Sequence, residues 1–192
     1  MTLILTYGNP DHAVQVSDRR LTFGARRYDG TANKAIYLRS ADGAFVLAYT
    51  GLGRVGAAGQ ATDLWAVGEL TEAPSESIVT ITDCLMKRGA RIIDDTPGPL
   101  TENDLTFVGT GTNNGKLLFF TVSSVLDGSG HHLATVDSHF HRQVSSGTEF
   151  VAAFGQEHAA SASGVTGQLH AQAGSGLLRE GHVWTPNGVP VC

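Results

Sequence analysis

Cysteine is nearly absent. Cys84 and Cys192, the only two in 192 residues, lie too far apart to read as a disulfide framework or a thiolate metal site. A reduced, cytoplasmic setting is therefore the expectation. No apolar run approaches the roughly 18 residues that a membrane helix needs, so no membrane partner is expected. The N-terminus lacks the charged region and cleavage pattern of a secretory signal. There is also no basic run. With a net charge of -5, the chain has little with which to neutralise phosphates, which argues against nucleic acid. Charged residues are only 16% of the chain, but 41% hydrophobic content is enough for a sizeable core. With no internal repeat and no linker, residues 1–192 read as a single domain. Glycine is abundant at 24 residues, yet scattered, which points to turns and tight packing.

The first forty residues have β character. LILTY at 3–7 is apolar and partly β-branched, GNPD at 8–11 is turn chemistry, and HAVQVS at 12–17 alternates. A polar, glycine-broken stretch follows at 22–33, then strand candidates at 35–39 and 44–50. From Gly51 the chain is rich in small residues, with Leu64, Trp65 and Gly68 at helical spacing and Trp65 assigned to the core. In 76–95, Ile78, Ile81, Leu85 and Ile92 form one helical stripe, with Ser75 or Ser77 available as the cap. Strands return at 104–109 and 116–122, joined by Asn113, Asn114 and Gly115. GTGTNNG at 109–115 lacks the lysine and following helix of a phosphate loop and reads as a hairpin turn. A third helix is expected from Thr148, with Phe150, Val151 and Phe154 as its apolar residues, and a last strand at 182–185. Such blocks indicate an α+β layered domain.

Three residues carry the chemistry. Thr2, Asp18 and Lys34 follow one another in equal steps of sixteen residues. A threonine hydroxyl is a poor nucleophile and needs a base. A free α-amine on the same residue can serve, because its pKa of about 7.7–8.0 lies near neutrality. A lysine ammonium nearby lowers the proton affinity of both groups, and a carboxylate holds that lysine charged and oriented. Thr2 begins the first strand, Asp18 ends the returning one and Lys34 begins the third, so all three fall at one end of a sheet. Singly they are ordinary: a strand residue, a turn acid in Asp18-Arg19-Arg20, a solvated lysine. Their mutual spacing favours the catalytic reading.

In that spacing the sequence resembles the catalytic β subunits of the proteasome and the related bacterial two-component protease, both N-terminal-nucleophile hydrolases. The match runs in register from Thr2 to Leu38. TLIL stands at the nucleophile and first strand, SDRRLT matches the family's acid, arginine and threonine as Asp18, Arg20 and Thr22, and NKAIYL carries the lysine as Lys34. AYTGLG at 48–53 is similar to the family's turn into its first helix, which makes Gly51 the implied oxyanion donor. VSSG at 144–147 puts Ser146 where the family has a serine beside the nucleophile. Arg20 is implied as a structural anchor, and the Thr22 backbone as the edge that pairs with an extended substrate.

The resemblance implies a four-layer αββα sandwich and a threonine-type peptidase or amidohydrolase. It implies activity only after Met1 is removed, no cofactor, a peptide or amide substrate, and a homo-oligomer such as a ring. Whether an unfolding ATPase partner serves it is left open. The tail departs from the family: AQAGSG at 171–176 aligns Ser175 with a supporting serine but leaves Gln172 where an aspartate is usual. Gln172 and the short tail favour an alternative, a catalytically inactive proteasome-like subunit with a structural role. A third reading uses His131, His132, His139 and His141, but their spacing matches no standard zinc pattern, and solvated loop histidines are the expectation.

Overall fold

A computed structural model describes residues 3–9, 12–18, 21–23, 26–29, 32–71, 75–147, 150–155, 183–184 and 190–191. The larger sheet has five antiparallel strands: β5 (Ala35–Ser40), β6 (Gly43–Gly51), β9 (Leu105–Asn113), β10 (Lys116–Ser123) and β11 (His141–Ser146). Its spatial order is β11-β10-β9-β6-β5. The smaller sheet sets β1 (Leu3–Gly8) between β2 (Ala13–Ser17) and β12 (Phe150–Gly155), again antiparallel. Three two-stranded hairpins complete the strands among the described residues: β3 (Leu21–Phe23) with β4 (Arg26–Asp29), β7 (Arg54–Val55) with β8 (Gln60–Ala61), and β13 (Val183–Trp184) with β14 (Pro190–Val191). Two α-helices are described, α1 (Thr62–Glu69) and α2 (Ile78–Asp94). The chain is thus mixed α/β with antiparallel sheets.

Period-two alternation assigns the two faces of the larger sheet. Phe45, Leu47 and Tyr49 of β6, Leu105 and Phe107 of β9, and Leu118, Phe120 and Val122 of β10 share one core with α1 and α2. The intervening Ala48, Val108 and Phe119 instead pack with Ile4 of β1 and with Phe150, Ala152 and Phe154 of β12. The helices therefore cover one face and the smaller sheet the other. Phe119 is the centre of the second contact, its ring 5.2 Å from Phe150 and 5.8 Å from Phe154. The contact also has a polar seam: the Thr6 and Thr110 hydroxyls lie 2.5 Å apart, and Gln15 donates to the Val108 carbonyl at 3.2 Å.

The helices follow local rules, with two adjustments. In α2, Ser77 caps the start by accepting the Thr80 N–H, and Ile78, Ile81 and Leu85 are buried as the stripe requires. In α1 the buried stripe is Thr62, Trp65 and Ala66, while Leu64 turns outward; Gly51–Ala61 forms the end of β6 and a small hairpin before the helix starts. The β9–β10 turn is a two-residue loop in which Asn114 (φ 47°) and Gly115 (φ 73°) both take left-handed conformations. That geometry matches the right-handed twist of the strands.

The helix expected from Thr148 is not formed at Phe150–Gly155, which is β12. Aromatic and apolar side chains in FVAAF suit a strand that buries alternate residues against Phe119, and pairing with β1 supplies its backbone bonds. The apolar residues alone are consistent with either period, and tertiary pairing decides between them.

Candidate functional site

The sheets bring four chain segments to one end: β1 begins there, β2 leaves there, β5 begins there and β6 ends there. Asp18, the residue after β2, donates its N–H to the carbonyl of Leu3 at 3.1 Å. Thr2 itself lies outside the described residues, but its covalent neighbour Leu3 is tied directly to Asp18. The Asp18 carboxylate accepts a hydrogen bond from the Lys34 ammonium at 3.1 Å. Lys34 is fully buried and Asp18 is 38% exposed, so the pair spans the boundary between interior and solvent. Burial pushes the Lys34 ammonium below its usual pKa, while the hydrogen bond and charge of Asp18 act in the opposite direction.

Gly51 closes β6 at the same end. Its φ of +96° is one that glycine tolerates and other residues rarely adopt, and a Cβ here would sit 2.1 Å from the Asp104 carbonyl. The Asp104 carbonyl accepts the Leu52 N–H at 2.8 Å. Leu105, the register partner of Gly51, turns its backbone towards β10, donating to the Ser124 hydroxyl and accepting the Ser124 N–H. By alternation the Gly51 N–H points to the opposite edge. There the β5 ladder starts only at Ala35, opposite Ala48, and Lys34 precedes it. Thr62 secures the segment by donating its hydroxyl hydrogen to the Leu52 carbonyl at 2.7 Å.

Other anticipated residues fall differently. Ser146 ends β11 opposite Leu118, whereas the end of β10 that meets the start of β9 is Ser123, opposite His141. Ser146 thus stands at the far end of the sheet from Lys34 and Gly51, and this corrects its assignment beside the nucleophile. The cause is the strand β12: the chain passes from Ser146 to Phe150 opposite Gly8, then runs back along β1 to Gly155 opposite Leu3. Gly155, and not Ser146, reaches the start of β1. Thr22 lies in β3 opposite Arg27 of β4. Arg20, Gln172 and Ser175 lie outside the described residues.

Asp104 is a further acid at this end that the sequence did not single out. It stands immediately before β9, and its carboxylate Oδ2 comes within 3.0 Å of the position a Cβ on Gly51 would take. Burial pushes its carboxyl above the usual pKa, against its own backbone N–H and the positive charge of the chain's N-terminus. The only signal in the sequence is an acid at the threshold of an apolar strand.

The histidines form a separate cluster. His139 Nδ1 and His141 Nε2 each lie 3.1 Å from a different oxygen of Asp137. Hydrogen bonds from the His139 backbone and from both rings hold the Asp137 carboxyl at about 2. His139 precedes β11 and His141 begins it, so the two do not share a strand face. Among the described residues no group of three or more His, Cys, Asp or Glu is placed to hold a metal ion. Among them, too, no helix is long and apolar enough to cross a membrane. No family model matches the chain, and no curated protein matches it.

Proposed function

We propose that the chain is a threonine-type amide or peptide bond hydrolase in which Thr2, freed of Met1, is the N-terminal nucleophile. The observation that carries this reading is the pairing of buried Lys34 with Asp18, which is bonded through its N–H to the residue that follows Thr2. In this mechanism the Thr2 amine takes the hydroxyl proton, directly or through one water, as the oxygen attacks the substrate carbonyl. The tetrahedral oxyanion is held by the Gly51 N–H, a type of donor worth roughly 2.7–4 kcal/mol. Collapse expels the amine product, which takes up the proton, and leaves an ester on Thr2. Water then hydrolyses that ester through the same oxyanion geometry. Lys34 lowers the proton affinity of the nucleophile, Asp18 orients Lys34, and the β3 edge at Thr22 pairs with an extended substrate.

The wider reading is a proteasome-like αββα sandwich assembled as a cytoplasmic homo-oligomer. Helices on one face of the larger sheet and a second sheet on the other support it. Removal of Met1 is the condition on which catalysis depends, and methionine aminopeptidase acts before small residues such as threonine.

The test starts with the intact mass of the purified protein, expected to lack methionine. A β-lactone should then add to Thr2, and Thr2→Ala should lower hydrolysis of peptide amides by about a thousandfold or more. A Met1-free protein that assembles but takes no adduct would instead be an inactive, structural subunit.

A further inference from the structure

We infer that Asp137, bridging His139 and His141, forms a pH-sensitive clasp on the end of the larger sheet that carries Gly51. As a regulatory device for the proposed oxyanion donor, the clasp rests on the reading of Thr2 as the nucleophile.

Three observations converge. First, the bridge is built at a single carboxylate. Asp137 Oδ1 accepts the His139 backbone N–H at 2.9 Å and lies 3.1 Å from His139 Nδ1, while Oδ2 lies 3.1 Å from His141 Nε2. Each ring therefore carries a proton on the nitrogen that faces Asp137. Second, the connection from β10 to β11 that holds the bridge is anchored. Leu126 and Phe140 are buried, Phe140 against Gly89 of α2, and the Leu133 N–H closes the connection on the Val125 carbonyl at 2.9 Å. Third, the bridge is linked to the site end of β9. The Asp137 N–H donates to the Ser124 carbonyl at 2.8 Å. Ser124 in turn donates its N–H to the Leu105 carbonyl and accepts the Leu105 N–H on its hydroxyl, both at 3.0 Å. The carbonyl of the adjoining Asp104 holds the N–H of Leu52, the residue after Gly51. His141 itself stands opposite Ser123, whose hydroxyl meets that of Thr106.

The neighbouring charges have other engagements. His131 lies 3.7 Å from Asp127 in the same connection, and His132 pairs with Leu126. Arg142 of β11 is bound to Asp83 of α2, and Lys87, one turn further along that helix, is exposed. Asp104, at the start of β9, stands beside Gly51. Asp137 stays ionised across the neutral range, because its hydrogen bonds hold the carboxyl at about 2. Histidine is the side chain whose charge ordinarily changes between pH 5 and 8. Protonation of either ring sets a full positive charge against the carboxylate, so the clasp tightens as pH falls and loosens as it rises. Solvent reaches both rings, which keeps the effect small.

Amide hydrogen exchange of the full-length protein, corrected for intrinsic rates, tests the clasp. Protection at Leu105, Ser124 and Asp137 should be roughly two- to fivefold higher at pH 5.5 than at pH 7.5, while Gly111, towards the far end of β9, changes little. His139→Gln combined with His141→Gln should abolish that difference. Wild-type protection that ignores pH, or a pH dependence that survives the double substitution, overturns the inference. If the double variant does not fold, the ring 15N shifts of the wild type at pH 7.5 decide. A proton on His139 Nδ1 and on His141 Nε2 is expected, and the opposite tautomer at either ring overturns the bridge. If the clasp passes but no lactone adduct forms on Thr2, the clasp stands and the hydrolase reading fails. An adduct on a protein whose protection ignores pH sinks the clasp alone.

Discussion

Lys34 is the residue around which the others acquire meaning. A fully buried ammonium is costly unless paired, and Asp18 provides the pairing from a half-exposed position. Asp18→Asn removes the carboxylate that the buried charge faces. It is expected to lower stability by about 2 kcal/mol in urea titrations at pH 7, less than for a fully buried pair because solvent screens Asp18. The pH dependence has a definite sign. Lys34 titrates below its unfolded value, so the cost of burying its charge is fully present at low pH and fades as pH climbs towards about 10.4. Removing Asp18 lowers the Lys34 pKa further. The deficit of Asp18→Asn should therefore shrink as pH rises, and a deficit constant from pH 7 to 10 would contradict the charge argument. The identities of Asp18 and Lys34 were legible in the sequence through their spacing. The placement of Asp104 was not, because it depends on approach to Gly51, a residue of a different strand.

At the scale of elements, α2 shows how a helix start is tied into the sheet. Burial acts to raise the pKa of Asp42, in the β5–β6 turn, but hydrogen bonds from the Ile78 N–H, Ser40 and Asn113 outweigh it and hold the carboxyl low. Ser77 adds its own cap on Thr80. Asp42→Ala and Ser77→Ala should each cost about 1 kcal/mol, measurable as a lower urea midpoint with unchanged slope. The Asp42 contribution is present above its unfolded pKa of about 3.9 and is lost as pH falls through the lower folded value. The gap between wild type and Asp42→Ala should accordingly close in acid, while that for Ser77→Ala persists. Helix α2 was readable in advance because its apolar stripe and cap are local signals. Residues 150–155 were misread as helical because FVAAF satisfies either period, and only its ladder with β1 settles the matter.

For the whole molecule, the contact between the two sheets decides whether a site exists at all. Leu3 and Asp18 belong to the smaller sheet and its exit, whereas Lys34 and Gly51 belong to the larger one. Phe119 sits between the sheets with Phe150 and Phe154, so Phe119→Ala should cost about 3–5 kcal/mol. It should also speed hydrogen exchange in β1 and β12 more than in β6 and β9. Equal acceleration in both sheets would mean that the sandwich opens as a unit. By itself, the sequence determined the chemical types and their spacing, the turns and the cap of α2, because those depend on neighbours a few residues away. Which strand ends meet was decided only by tertiary structure. Long-range pairing moved Ser146 to the far end, brought Gly155 to Leu3 and set Asp104 against Gly51, since register between distant strands is fixed by packing across the sheets and leaves no mark at any single position.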